Sequence, residues 1–222
     1  MNRKRAAVAL SCVAAAALLC GWFALGHAGR DASALPEEEG GREETAGEHR
    51  IIYDTPAERA VPLYTQDDAR WGSLPYAGAD LATSGCGLTC AAMAWEWLSG
   101  EACTPADMLA AVGESCVQAG QNYMPGFCSW MQGRDPSVSY TVPYESRDRA
   151  LEDLSSGRLV FGAMSGAIAE GGRSYGGHVV LLCGLDGGAV TVHDPCDPEP
   201  VAISRGRFNK VDWGYFISIG RG

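Results

Sequence analysis

Residues 84–100 read SGCGLTCAAMAWEWLSG, and the fold turns on how this stretch is understood. After Cys86, the residues Leu88, Ala91, Ala92, Trp95 and Leu98 recur at helical spacing and Gly100 ends the run. A helix therefore begins beside a cysteine held between Gly85 and Gly87. A helix N-terminus offers unpaired N–H groups and partial positive charge, which favour a thiolate over a thiol. The two glycines permit a sharp turn into the helix and close approach of a substrate backbone. Cys86 is thus a candidate nucleophile. A helix-start cysteine paired with another cysteine is the competing reading, and a partner base decides between them.

Outward from this helix the pattern changes along the chain. A second helix opens at TPAD, with Thr104 as N-cap, Pro105 in the first turn and Asp107 three residues past the cap, and it stops near Gly113. A short helix is expected over 127–132, and another from Ser146, its cap, to Ser156, with Gly157 after its last turn. Strands dominate the second half: SVSYTV, RLVFGAM, HVVLLCGL, AVTVHD and WGYFISI are apolar or β-branched runs bounded by Gly or Pro. The segment LDGGAV reads as a tight hairpin, because its glycines supply the positive φ such turns require. Helices first and a meandering antiparallel sheet second define an α+β domain.

The whole chain has 222 residues, 46% of them hydrophobic, which is enough for one well-cored domain and appendages. In the first part, Arg3, Lys4 and Arg5 precede an apolar run from Ala6 to Leu25, so residues 1–28 read as a signal peptide or an N-terminal membrane anchor. Small residues at the expected places suit cleavage after Ala28 or after Ala34, whereas Leu19 is too large for a lipoprotein site at Cys20. Basic residues before the span place the rest of the chain outside the cell, anchored or secreted. Residues 29–50, GRDASALPEEEGGREETAGEHR, are acidic and without an aromatic, as in a flexible tether. Residues 51–222 form the single remaining domain. Net charge is −10 and the basic residues are scattered, so the electrostatic footprint of a nucleic-acid binder is missing.

Seven cysteines fall in the domain: Cys86, Cys90, Cys103, Cys116, Cys128, Cys183 and Cys196. In an oxidising compartment disulfides are expected, and an odd count leaves at least one thiol unpaired. No Cys-x-x-Cys pair occurs, so neither a metal nor a cofactor is expected. Asp67, Asp68 and Asp80 lack calcium-loop spacing and read as turn caps, and Trp95, Trp97, Trp130 and Trp213 as packing residues.

His178 follows the glycine-rich SGAIAEGGRSYGG and begins the strand HVVLLCGL. With Gly187 and Gly188 as the hairpin turn, Asp186 pairs Ala189, and counting outward sets His178 beside the end carrying Asp194 to Asp197. A carboxylate at Asp194 would then fix the tautomer of the imidazole. His193 alternates to the opposite face and stays outside this set.

The run VPLYTQDDARWGSLPYAGADLATSGCGLTCAAMA, with GGHVVLLCGLDGGAVTVHDP and RFNKVDWGYFISIG, resembles the cysteine peptidase family 39-like proteins of bacteria across residues 61 to 220. The resemblance implies a papain-like fold, Cys86 as nucleophile, His178 as general base and acid, Asp194 as the group orienting the imidazole, and Gln66 in the oxyanion hole. Two departures stand out. Leu88 replaces the proline usual after GCG, and Cys90 lies four residues after Cys86 on the same helix face, where it is expected to pack inward. No phosphate-binding loop of an exporter ATPase is present, which disfavours leader-peptide processing.

The expected activity is hydrolysis of amide bonds in a peptide or protein substrate, with the membrane touched only through the N-terminal segment. A silent papain-like binding or scaffold domain with a disulfide-locked thiol is the alternative, and an acyltransferase, in which an amine intercepts the thioester, is a third. Composition does not fix the oligomeric state.

Overall fold

The computed structural model describes residues 60–222. The leader over 1–28, the tether over 29–50 and residues 51–59 lie outside the described residues. The first part of the domain carries a two-strand ribbon, β1 (Pro75–Tyr76) and β2 (Ala79–Asp80), then helices α1 (Leu81–Ser84), α2 (Cys86–Ser99) and α3 (Pro105–Val112). A second ribbon, β3 (Val117–Gln118) and β4 (Gln121–Asn122), precedes α4 (Met124–Arg134). Then follow β5 (Val138–Tyr140), α5 (Arg147–Ser155), β6 (Leu159–Ala167), β7 (Ser174–Asp186), β8 (Ala189–His193), β9 (Val201–Ser204), α6 (Arg205–Phe208) and β10 (Asp212–Arg221).

Strands β5 to β10 form one antiparallel six-stranded sheet in the order β5-β10-β6-β7-β8-β9. Helix α2 is apolar nearly all round, and ten of its residues are buried, as a helix at the centre of a core requires. It packs with Met108 of α3 and Phe127 and Met131 of α4 against Phe161, Val179, Leu181, Ile217 and Ile219 of the sheet. The alternate residues Val160, Val180, Leu182 and Phe216 point the other way, into a second core closed by Ala150, Leu151 and Leu154 of α5 and Phe208 of α6. The sheet is therefore apolar on both faces. Helices α2 to α4 cover one face of the sheet, and α5 and α6 the other.

Local signals explain most boundaries. The Thr104 hydroxyl accepts from the Asp107 N–H while the Asp107 carboxylate accepts from the Thr104 N–H, the reciprocal cap read from TPAD. Ser146 caps α5 through the Arg149 N–H. Gly187 and Gly188, with φ of 54° and 84°, turn the β7–β8 hairpin with Asp186 opposite Ala189, as the glycine pair predicts. Further along, Cys183 is an extra residue between the pairs Gly184↔Thr191 and Leu182↔Val192, a bulge that moves the register by one.

Two expectations change, and two elements are new. His178 does not begin its strand: β7 starts at Ser174, because β6 runs on to Ala167 and pairs with it through Gly166↔Tyr175 and Ala167↔Ser174. Strand β9 and helix α6 went unread in a segment rich in Asp and Pro. All seven cysteines of the domain are free, so no disulfide forms among the described residues. Cys90 packs inward as expected, fully buried, with its thiol donating to the Val179 carbonyl at 3.4 Å. Among the described residues no helix is long and apolar enough to cross a membrane.

Candidate active site

Cys86 is the first residue of α2, directly after Gly85, which ends α1 and begins α2. The N-cap Gly85 has no side chain to accept from the first N–H groups, and Asn122 Oδ1 takes that of Leu88, so those of Cys86 and Gly87 remain at the helix end beside the thiol. The flanking glycines have ordinary backbone at this point; Gly85 has φ −85°. Their absence of a side chain serves close packing: a Cβ on Gly85 would lie 2.4 Å from the Leu81 carbonyl oxygen, and one on Gly87 2.5 Å from Cβ of Asn122.

Asn122, on β4, is a residue that sequence reasoning missed. Its Oδ1 accepts from the Tyr76 hydroxyl at 2.8 Å and the Leu88 N–H at 3.1 Å. Those two donors fix the amide orientation, so Nδ2 faces the Ser84 carbonyl at 2.8 Å and Cys86 Sγ at 3.7 Å. Gly87→Ala would push this side chain away. It is expected to cost about 1–3 kcal/mol of stability, as overpacking does, and to slow Cys86 alkylation. Thermal denaturation and timed labelling check both.

The imidazole comes from β7. His178 lies opposite Met164 of β6, and its Nε2 is 2.7 Å from Asp194 Oδ1 just past the end of β8. Asp194 is held by two further donors, the Cys196 N–H on Oδ1 and the Tyr175 hydroxyl on Oδ2, each at 2.9 Å. Tyr175, a second residue not foreseen, also stacks on the imidazole, with ring centroids 3.9 Å apart and planes 13° from parallel. The signal was an aromatic three residues before a histidine, inside a stretch read as loop. His193, on β8, is elsewhere, with Nδ1 3.0 Å from the Pro62 carbonyl.

Burial and charge act against each other at this pair. Desolvation pulls His178 down, but the hydrogen bond to Asp194 and then its interactions with Cys86 lift it to about 9. Burial likewise pushes the Asp194 carboxyl up; hydrogen bonding and charge from His178, with the Cys196 N–H and Tyr175, outweigh it and hold the group below the ordinary carboxylate range. The six other thiols are all raised by burial, Cys103 and Cys128 to about 12 and Cys196 to about 11.

Cys86 and His178 both line a cleft of about 590 Å³. Ser84 and Asn122 stand with the cysteine; Met164 and Tyr215 stand with the histidine. The structure brings Cys86, His178 and Asp194 together. Gln66 does not line this cleft. Its Nε2 donates to the Ala82 carbonyl at 2.6 Å, its backbone N–H donates to the Pro195 carbonyl at 2.7 Å, and its Oε1 has no partner among the described residues. Gln66 thus ties the turn before Cys86 to the turn after Asp194.

Donor atoms of His178, Asp194 and Cys196 lie within 4.8 Å of one another, a set that could in principle hold a metal ion. The 2.7 Å between Nε2 and Oδ1 is that of a hydrogen bond, shorter than the roughly 3.3 Å separating two ligands of one tetrahedral zinc. The group fits a hydrogen-bonded dyad better than a metal cradle.

The mixed helix and antiparallel-sheet domain is consistent with a C39-like peptidase fold. Among solved structures it is similar to a candidate C39-like peptidase from Bacillus anthracis, with TM-score 0.51 and 16% identity, over 76% of this chain and 97% of that chain. At that identity the likeness speaks for the fold. No family model and no curated protein matches the chain.

Proposed function

We propose that the domain is a cysteine peptidase-like hydrolase of papain-like type that cleaves amide bonds in peptides through Cys86, His178 and Asp194. The observation that carries this reading is the His178–Asp194 pair, 2.7 Å apart, with His178 and the cysteine at the start of α2 lining one cleft. Nε2 of His178 is engaged by Asp194, which leaves Nδ1 for Cys86.

In the reaction, Cys86 Sγ gives its proton to His178 Nδ1 and attacks the carbonyl carbon, and the carbonyl oxygen takes the negative charge. His178 then gives the Nδ1 proton to the amine as the C–N bond breaks, leaving a thioester on Cys86. Water attacks the thioester while His178 Nδ1 accepts its proton, the C–S bond breaks, and the acid leaves. Nε2–H remains on Asp194 throughout. The charged oxygen is held by the Cys86 N–H and by Asn122 Nδ2, while Gln66 serves as a strut in this reading. Asn122→Ala is expected to lower kcat about 100-fold or more, as loss of one oxyanion donor does. Gln66→Ala is expected to lower melting temperature more than kcat. Parallel kinetics and melting of both variants decide the assignment, and a large kcat loss in Gln66→Ala alone reverses it.

A fluorogenic peptide library and an iodoacetamide-based probe test the activity, with Cys86→Ala as control. Absence of both hydrolysis and fast Cys86 labelling favours the silent binding domain. The leader reading makes this an activity outside the cytoplasm, anchored or released.

A further inference from the structure

The cleft holds one carboxylate that the proposed chemistry does not use. Asp212, the first residue of β10, is exposed and lines the cleft, where it is the sole charged side chain besides His178. It pairs across the ladder with Ser165 of β6, whose hydroxyl donates to Asp212 Oδ2 at 2.5 Å and so fixes the direction of the carboxylate. Among the described residues no Lys, Arg or His pairs with it. A carboxylate anchored by a neutral hydroxyl, at the edge of a cleft and without a countercharge, is poised for an external cation.

Sheet geometry gives the distance. His178 pairs Met164, and Met164 pairs Trp213, the neighbour of Asp212. Two interstrand steps of about 4.8 Å put the Asp212 backbone about 10 Å from that of His178, the length of about three residues of extended peptide. Gly177 and Gly214 also line the cleft. The domain from residue 51 onward carries 20 acidic against 11 basic residues, which reinforces the sign of the field.

We infer that Asp212 is a specificity-determining residue that selects substrates carrying a cation, an ammonium or guanidinium, about three residues from the scissile bond. The inference rests on the hydrolase reading above and names the substrate class of that site. The test uses binding, which needs no turnover. Hexapeptides carrying Lys, Gln or Glu two or three residues to either side of the centre, N-acetylated or free, are titrated against the Cys86→Ala protein at low salt. Lys peptides are expected to bind about tenfold more tightly than Glu peptides, with the difference falling towards onefold in Cys86→Ala/Asp212→Asn and in high salt. A preference seen only with the free amino terminus assigns the cation to the α-amine instead of the side chain. Equal binding of Lys and Glu peptides, an unchanged preference in Asp212→Asn, or no binding of any peptide overturns the inference. Hydrolysis by the wild-type protein without charge preference overturns it alone, whereas charge-selective binding without any hydrolysis overturns the hydrolase reading alone. Asp212→Asn keeps the acceptor for Ser165, and its melting temperature verifies that the fold is intact.

Discussion

Cys86→Ala is expected to abolish peptide hydrolysis, by roughly 10⁵-fold or more, while leaving the melting temperature nearly unchanged. The sulfur is only partly buried and its removal opens the cleft, not the core. The chemical counterpart is selective alkylation. At pH 7 a thiol at about 12, as in Cys103 and Cys128, is ionised to about one part in 10⁵. Burial also raises Cys90, Cys116, Cys183 and Cys196. Iodoacetamide at neutral pH should therefore mark Cys86 first, read by peptide mapping against time. Equal labelling of the seven cysteines, or labelling of another one first, would count against the proposed nucleophile.

Asp194→Asn is expected to lower turnover roughly 10³- to 10⁴-fold, because an amide can present a donor to His178 and favour the wrong tautomer. It also removes the main cause of the raised His178 pKa. In the wild-type protein the imidazolium persists up to about pH 9. Turnover should fall as pH rises through that value, when the leaving amine loses its acid. The same shift affects stability: a folded value raised above the ordinary 6.5 means that stabilisation by the imidazolium is complete below about 6.5 and lost as pH rises through about 9. In Asp194→Asn the alkaline limb moves to lower pH and the loss of melting temperature between pH 7 and 9.5 becomes smaller. A variant with unchanged pH profile would remove Asp194 from the mechanism.

Much of this was legible in order along the chain. The periodicity after Cys86, the TPAD cap and the LDGGAV turn each rest on interactions within a few residues, so neighbouring letters carry them. The His178 and Asp194 pair was legible for the same reason, since one hairpin turn sets their separation. The bulge at Cys183 was not, because a ladder accommodates an extra residue according to the packing on both its faces. Tyr175 was masked by the surrounding glycines, which read as a loop until β6 supplied a partner strand.

By itself the sequence determined the longer helices and most strands of the main sheet, the cysteine at a helix start and the imidazole–carboxylate pair, because helix caps, turn glycines and alternating strands act over short range. Only the tertiary structure decided which amide faces the sulfur. Gln66 and Asn122 stand 20 residues before and 36 residues after Cys86. Their side chains are directed by Ala82, Tyr76 and Leu88, contacts that exist only once the chain has packed. The same holds for Asp212, brought to the cleft by pairing with a strand 47 residues earlier.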